Sequence, residues 1–242
     1  FFRSLRPIIE KMSPDIITFV LEGYPKWRFD LLPEYKGNRK HHDKDNFRQQ
    51  KAKIISLIKE CLPINVVRHE DYECDDVIAN IVWNTDDDCI IVSSDTDFLQ
   101  LSSLPNVKIY NPIKKSYFEP VDFDYVSWKS LRGDGSDNIP GFKGIGDKRA
   151  RKLISSQEEM NKFLSSQDSK DLFEKNKKLI SFKRIEDFFN TIESHHTKID
   201  WPRLKEEFTT MEFFSITNDK SWGKFMSTFD NLACLPLTSQ SG

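Results

Sequence analysis

Short continuous apolar runs alternate along this chain with stretches in which apolar residues return every three or four positions. Residues 1 to 12 read as a helix, broken at Ser13-Pro14, and Ile16, Ile17, Phe19, Val20 and Leu21 then form the run expected of a buried parallel strand. From 51 to 62, Ile54, Ile55, Leu57, Ile58, Cys61 and Leu62 keep helical spacing until Pro63 stops them, and Ile64, Val66 and Val67 predict a second strand. A helix from about Glu73 to Trp83 turns Val77, Ile78, Ile81 and Val82 inward, and Cys89 to Val92 predicts a third strand closing on Ser93-Ser94-Asp95. This order predicts an α/β fold, a parallel sheet flanked by helices.

After about residue 120 the pattern turns helical: Val121 to Leu131, a Gly/Pro-rich turn region, then Lys148 to Ile154. Phe188, Phe189, Phe208, Phe213, Phe214, Trp222, Phe225 and Phe229 have helix-compatible spacing and are expected in the core. The 242 residues, 38% hydrophobic, contain no run near the roughly 20 apolar residues of a membrane helix and no signal peptide. A membrane protein is therefore excluded from the expectation, and a cytoplasmic monomer is favoured over a secreted protein. Cys61, Cys74, Cys89 and Cys234 lack zinc or disulfide spacing and read as free thiols.

The net charge of -2 conceals a segregation. Residues 1 to 60 carry +5, 61 to 140 carry -9, 141 to 190 carry +4 and 191 to 242 carry -2. An acidic middle between basic flanks suits a cation-binding cluster between polyanion-binding arms, although solvated acidic loops give the same balance. Placement argues for the cluster. Glu22 and the pair Asp95 and Asp97 lie at strand ends, Glu73, Asp75 and Asp76 open a helix, and Asp134 and Asp137 sit in the turn G-D-G-S-D-N. In an open α/β sheet the crevice forms at the carboxyl ends of the strands. Each group alone is also explained by helix capping or turn formation, but the four in this order are harder to explain so. Asp86, Asp87 and Asp88 read as a solvated loop. Oxygen-only ligands fit Mg²⁺ or Mn²⁺ better than zinc.

Seven Lys or Arg residues (Lys36, Arg39, Lys40, Lys44, Arg48, Lys51, Lys53) fall between 36 and 53 against Asp43 and Asp45 only, with His41 and His42 among them, a pattern shared by a solvated helix face. In P-G-F-K-G-I-G-D-K-R-A-R-K-L, Gly141, Gly144 and Gly146 let backbone amides approach a phosphate at the start of a helix bearing Lys148, Arg149, Arg151 and Lys152. Next to an acid cluster, such a turn points to a phosphodiester substrate.

Four blocks, F-V-L-E-G-Y-P-K-W-R-F-D-L-L-P-E-Y-K-G-N-R, E-C-D-D-V-I-A, I-V-S-S-D-T-D-F-L-Q-L and L-R-G-D-G-S-D-N-I-P-G-F-K-G-I-G-D-K-R-A, resemble in order the signature blocks of the structure-specific 5′-nucleases. That family includes flap endonucleases, the 5′-nuclease domain of bacterial DNA polymerase I, and bacteriophage exonuclease and RNase H proteins. The blocks span residues 16 to 154, and the compact length is most similar to the stand-alone phage enzymes. The resemblance implies a PIN-like nuclease core over 1 to 120, with a helical arch at about 33 to 62. A helical region over 121 to 242 would carry a helix-three-turn-helix element at about 130 to 155. It implies metal-site roles for Glu22, Glu73, Asp75, Asp76, Asp95, Asp97, Asp134 and Asp137, which would hold two Mg²⁺, with Mn²⁺ as a substitute. Lys36 and Arg39 would contact the scissile phosphate, Lys40, Lys44 and Arg48 the strand in the arch, and Gly141, Lys143, Gly144, Gly146, Lys148, Arg149 and Lys152 the duplex.

Two departures stand out. Glu22 occupies a position where the family usually has Asp, and the family's first strand, with a further metal-site Asp, does not precede Glu22 here, so the chain as given is expected to be a fragment with an incomplete site. The implied activity is metal-dependent hydrolysis at the 5′ end or single-strand/duplex junction of DNA or an RNA–DNA hybrid, in primer or flap removal. The alternatives are a non-catalytic DNA-junction-binding protein and a PIN-type ribonuclease acting on single strands. A single-strand-binding or clamp protein is a partner class left open, with Leu235, Pro236 and Leu237 read as a docking tail or a frayed end. A phage origin would place the protein in a bacterial cytoplasm.

Overall fold

All three apolar runs form strands. In the computed structural model, which describes residues 1–39, 44–233, 235 and 237, Thr18–Leu21 pairs in parallel with Asn65–Arg68, Thr18 opposite Asn65 and Leu21 opposite Arg68. Cys89–Val92 pairs in parallel with Val107–Asn111. Each pair gains a short antiparallel strand that the hydrophobic pattern does not predict, Glu193–His195 beside Asn65–Arg68 and Ser116–Tyr117 beside Val107–Asn111. The α/β class is the expected one. Lys40, His41, His42, Asp43, Cys234, Pro236 and the side chain of Lys44 lie outside the described residues.

The chain forms two units. The first comprises residues 1–23, 41–70 and 187–242. Its opening helix, Phe2–Met12, ends where Ser13 adopts a left-handed conformation (φ 46°) and donates its N–H to the Ile9 carbonyl at 2.8 Å, just before Pro14. Helix Lys44–Cys61 turns Leu57, Ile58 and Cys61 inward against Ile64 and Val66 of the sheet. Helices Trp201–Thr210 and Asp219–Ser227 close this core with Leu204, Phe208, Trp222 and Phe225, joined by Phe229. Burying side chains of this size contributes about 1.5–3 kcal/mol each. Phe214 departs from the core expectation: it is 60% exposed, because Ile216 and Thr217 take the buried side of the single turn Phe214–Thr217.

The second unit comprises residues 24–40 and 71–186. Helix Cys74–Trp83 lays Ala79 and Val82 on Ile91, Val107 and Ile109 of the second sheet, together with Phe98 and Leu101 from the tight helix Thr96–Leu101. Asp124 caps helix Tyr125–Arg132 by accepting the Ser127 N–H at 3.0 Å, and Gly133, at φ 74°, ends it. The following turn is pinned by two backbone hydrogen bonds between Asp134 and Ile139, at 2.9 and 2.8 Å, before helix Asp147–Ile154 begins. Asn176, on helix Gln167–Ile180, donates to the carbonyls of Ser130 (2.9 Å) and Pro140 (2.7 Å) and so fastens both ends of this turn. Cys61 and Cys89 carry free thiols, and the Cys74 Sγ lies 3.4 Å from Asp75 Oδ1. Among the described residues no helix is long and apolar enough to cross a membrane.

The turn glycines have different jobs. A Cβ on Gly141 would lie 1.9 Å from the Arg132 carbonyl oxygen, so this glycine is required by chain packing, whereas nothing stands within 4 Å of a Cβ on Gly144 or Gly146. Gly141→Ala is expected to cost at least ~2 kcal/mol, lowering the melting temperature by roughly 4–8 °C. Gly146→Ala, at φ −97° in open space, should melt within about 2 °C of the wild type in the same calorimetric scan.

Candidate active site

Helix Lys26–Leu31 carries Arg28 into the second unit, where the residue is 3% exposed. A buried guanidinium must find anionic partners. Its Nη1 lies 2.5 Å from Asp76 Oδ2 and 2.8 Å from Glu73 Oε2, its Nη2 lies 2.9 Å from Asp76 Oδ1, and its Nε donates to the Leu179 carbonyl at 3.0 Å. The Lys183 N–H donates to Asp76 Oδ1 at 2.8 Å. Asp76 is fully buried, so it anchors the start of helix Cys74–Trp83 and does not line the cleft that Glu73, Asp75, Asp97, Asp134 and Asp137 share.

Above that anchor, Glu73, Asp75, Asp97, Asp134 and Asp137 line one cleft with Tyr35 and Arg28. Four of these carboxylates are arranged in pairs. The Tyr35 hydroxyl reaches Glu73 Oε2 at 3.0 Å and Asp137 Oδ2 at 2.9 Å, its one proton serving two acceptors in turn. Lys36 pairs with Glu73, and Arg39 Nη2 with Asp137 Oδ1 at 2.5 Å. On the other side Lys129 bridges Asp97 and Asp134, reaching Asp134 Oδ2 at 2.6 Å. The Tyr125 hydroxyl lies 3.2 Å from Asp97 Oδ1. Asp95, more exposed, accepts the Asp97 N–H at 2.9 Å as the cap of helix Thr96–Leu101.

The titration of these groups follows from their surroundings. Burial pushes the Asp97 carboxyl up against the pull of Lys129. Burial also opposes ionisation of Asp134, but Lys129 and Ser136 together hold it below the usual carboxylate range. Burial disfavours the Lys129 ammonium as well, yet Asp97 and Asp134 keep its pKa well above the ordinary lysine value. The Tyr35 hydroxyl is raised by burial and then by Glu73, and Tyr125 is pushed up to about 12 chiefly by burial. At neutral pH both tyrosines are therefore hydrogen-bond donors, and the lysines are ammonium groups.

Two loops hold the cleft together. Asn38 Nδ2 donates to the Gly135 carbonyl at 2.5 Å, Asn138 Nδ2 to the Glu34 carbonyl at 2.8 Å, and the Lys36 N–H to the Asp137 carbonyl at 2.9 Å. The segment bearing Lys36 and Arg39 is thus laced to the turn bearing Asp134 and Asp137. Glu22 belongs to the first unit, at the end of strand Thr18–Leu21, where its carbonyl accepts from Arg68 Nε at 3.2 Å. Arg48 belongs to the same unit and is exposed on helix Lys44–Cys61. Lys143, Lys148, Arg149 and Lys152 are exposed on the turn and first turns of helix Asp147–Ile154, with Ile145 buried beneath them and Lys152 3.1 Å from Glu159.

Sequence reasoning missed Arg28, Tyr35 and Lys129 as parts of this site. Arg28 and Tyr35 sit inside a quoted block, so the block itself was the available signal. Lys129 had none, since one lysine in an amphipathic helix looks solvated until its 12% side-chain exposure is known. Among the described residues no three His, Cys, Asp or Glu side chains form a preassembled metal cage. The donor chemistry nevertheless fits hard divalent cations: five carboxylates, oxygen only, share one cleft.

A resolvase-like α/β domain followed by a helical SAM fold is the class this architecture defines. The model of the 5′-3′ exonuclease N-terminal resolvase-like domain matches residues 1–129, and that of the 5′-3′ exonuclease C-terminal SAM fold matches residues 123–211. The chain belongs to the 5′-3′ exonuclease family. It is 32% identical over 193 residues to a 5′-3′ exonuclease of Mycoplasmopsis pulmonis, covering 74% of this chain and 63% of that one. It is 30% identical over 186 residues to a 5′-3′ exonuclease of Bacillus subtilis, covering 69% and 60%. The match to DNA polymerase I of Caldicellulosiruptor bescii, 32% identical, covers 69% of this chain and 22% of the polymerase. The chain thus spans less than two thirds of the length of these relatives. In fold it is similar to the bacteriophage T5 D15 protein co-crystallised with metal ions, with TM-score 0.58 and 17% identity over 95% of this chain and 91% of that one.

The different duties of two neighbouring acids are separable. Asp76→Asn leaves a buried guanidinium short of charge and is expected to cost about 3–5 kcal/mol, lowering the melting temperature by roughly 6–20 °C. Asp75→Asn, on the cleft wall and partly exposed, should shift it by no more than about 3 °C.

Proposed function

We propose that this protein is a divalent-metal-dependent 5′-nuclease that hydrolyses phosphodiesters at the 5′ end or single-strand/duplex junction of DNA or an RNA–DNA hybrid. The observation that carries this reading is the cleft in which Glu73, Asp75, Asp97, Asp134 and Asp137 converge beside Lys36 and Arg39. These five carboxylates, with Asp95, would be the ligand set for two Mg²⁺ or Mn²⁺. When bound, the ions supply an activated water and neutralise charge on the leaving oxygen.

The remaining steps fall to the chain itself. Lys36 and Arg39 are laced against the acid turn, where they stabilise charge developing on the scissile phosphate. Asp76 and Arg28 fix the direction of Glu73 from below. The open backbone at Gly144 and Gly146, with Lys143, Lys148, Arg149 and Lys152, grips duplex phosphates without reading bases. Lys40, Lys44 and Arg48 guide the single strand. Relatives named as 5′-3′ exonucleases and DNA polymerase I support a role in primer or flap removal during replication or repair, and a flap endonuclease of T5 solved with DNA and metal ions has a similar fold.

A 5′-labelled flap duplex, offered to the full-length protein with Mg²⁺ and then with chelator, tests this reading. Cleavage should require Mg²⁺ and fall at least about 100-fold in Asp134→Ala. Salt-sensitive junction binding without turnover would favour the non-catalytic alternative, and equal cutting of single strands lacking any duplex would favour the single-strand ribonuclease.

A further inference from the structure

Tyr24 is 58% exposed, an unusual place for a large aromatic ring in a segment otherwise anchored by buried Pro25 and Arg28. Its ring lies flat on Phe29, centroids 5.0 Å apart and planes 9° from parallel. Phe29 in turn meets Tyr35 edge-on at 5.6 Å and 81°, and the Tyr35 hydroxyl touches Glu73 and Asp137. Three rings therefore run from the surface to the carboxylates that line the cleft. Tyr35, 3% exposed, and half-buried Phe29 hold the outermost ring in place, while Tyr24 itself buries little. A single flat ring, backed by a second and flanked by exposed Lys26, is too small to seat a folded partner but matches the face of one nucleobase.

We propose that Tyr24, backed by Phe29, is a stacking platform for one unpaired base of the strand being cut, close to the scissile phosphate. The inference rests on the nuclease reading above and adds a subsite to it. Two ring-to-ring steps of 5.0 and 5.6 Å separate Tyr24 from Tyr35. A strand rising ~3.4 Å per stacked nucleotide covers that span in roughly one to three nucleotides. Every base has a π-face, so the platform tolerates any sequence. It does not tolerate a base whose faces are covered inside a duplex, which makes it a contributor to junction selectivity distinct from the phosphate contacts of Lys36 and Arg39.

Flap substrates with a single abasic site, or a single 2-aminopurine, walked through the three nucleotides on each side of the scissile phosphate test this with wild type, Tyr24→Ala, Tyr24→Leu and Tyr24→Phe. Loss of one stacked base weakens binding by about 5- to 100-fold. Tyr24→Ala and Tyr24→Leu should raise KM by that factor with kcat little changed, and Tyr24→Phe should restore it. At one position the abasic site should weaken wild type by the same factor and leave Tyr24→Ala unaffected, the non-additivity expected of a direct contact. The 2-aminopurine at that position should be quenched on binding by wild type and Tyr24→Phe but not by Tyr24→Ala or Tyr24→Leu. An abasic penalty equal in wild type and Tyr24→Ala at every position, or wild-type affinity in Tyr24→Leu, would overturn the proposal. If the wild type cleaves nothing, the nuclease reading falls, and the quenching scan, run as equilibrium binding with Ca²⁺ in place of Mg²⁺, still decides the fate of Tyr24.

Discussion

Arg28 carries a permanent charge into a space that water barely reaches, and the second unit is organised around the need to neutralise it. The bidentate fork onto Asp76 satisfies two of its donors, Glu73 shares a third contact, and the Leu179 carbonyl takes the Nε–H. Planar guanidinium and planar carboxylate fit one another in one orientation only, so the pair fixes direction as well as charge. Because Asp76 and Glu73 bracket the first turn of helix Cys74–Trp83, that direction is passed to the helix. Because Leu179 and Lys183 belong to the end of helix Gln167–Ile180 and the segment after it, the same contact docks a distant part of the sequence. Such a pair is weak evidence of net stability, since both ions lose water, but it is expensive to break from one side.

The cleft above it follows a second constraint, like-charge repulsion. Carboxylates that face a shared space cannot remain ionised together unless cations stand among them. Here the chain supplies them: Lys36 and Arg39 on the Glu73 and Asp137 side, Lys129 on the Asp97 and Asp134 side. Depressed Asp134 and elevated Lys129 are two expressions of that one contact, and raised Asp97 shows how much burial resists it.

Much of this was legible in the residue order. Cys89–Val92 is a strand because four consecutive apolar or small residues between polar turns have no other economical place, and the alternation with helical periodicity gave the class. Glu73, Asp75, Asp97, Asp134 and Asp137 were readable as a group because strand ends and helix starts point to one crevice. Glu193–His195 and Ser116–Tyr117 were not readable, since all their residues are exposed and pairing alone makes them strands. Asp75 and Asp76 could not be told apart in the residue order, because two adjacent carboxylates at a helix start look equivalent, while a 100° turn of the helix places one on the cleft wall and buries the other against Arg28. Gly141 belonged with the phosphate-approach glycines by spacing, and only the proximity of the Arg132 carbonyl shows its packing duty.

The lysines of the cleft also make its chemistry a matter of exchange. Lys129 holds Asp97 and Asp134, and Lys36 holds Glu73. Any cation that comes to these carboxylate oxygens competes with an ammonium group already there, so its arrival must loosen or displace a contact that the chain makes for itself.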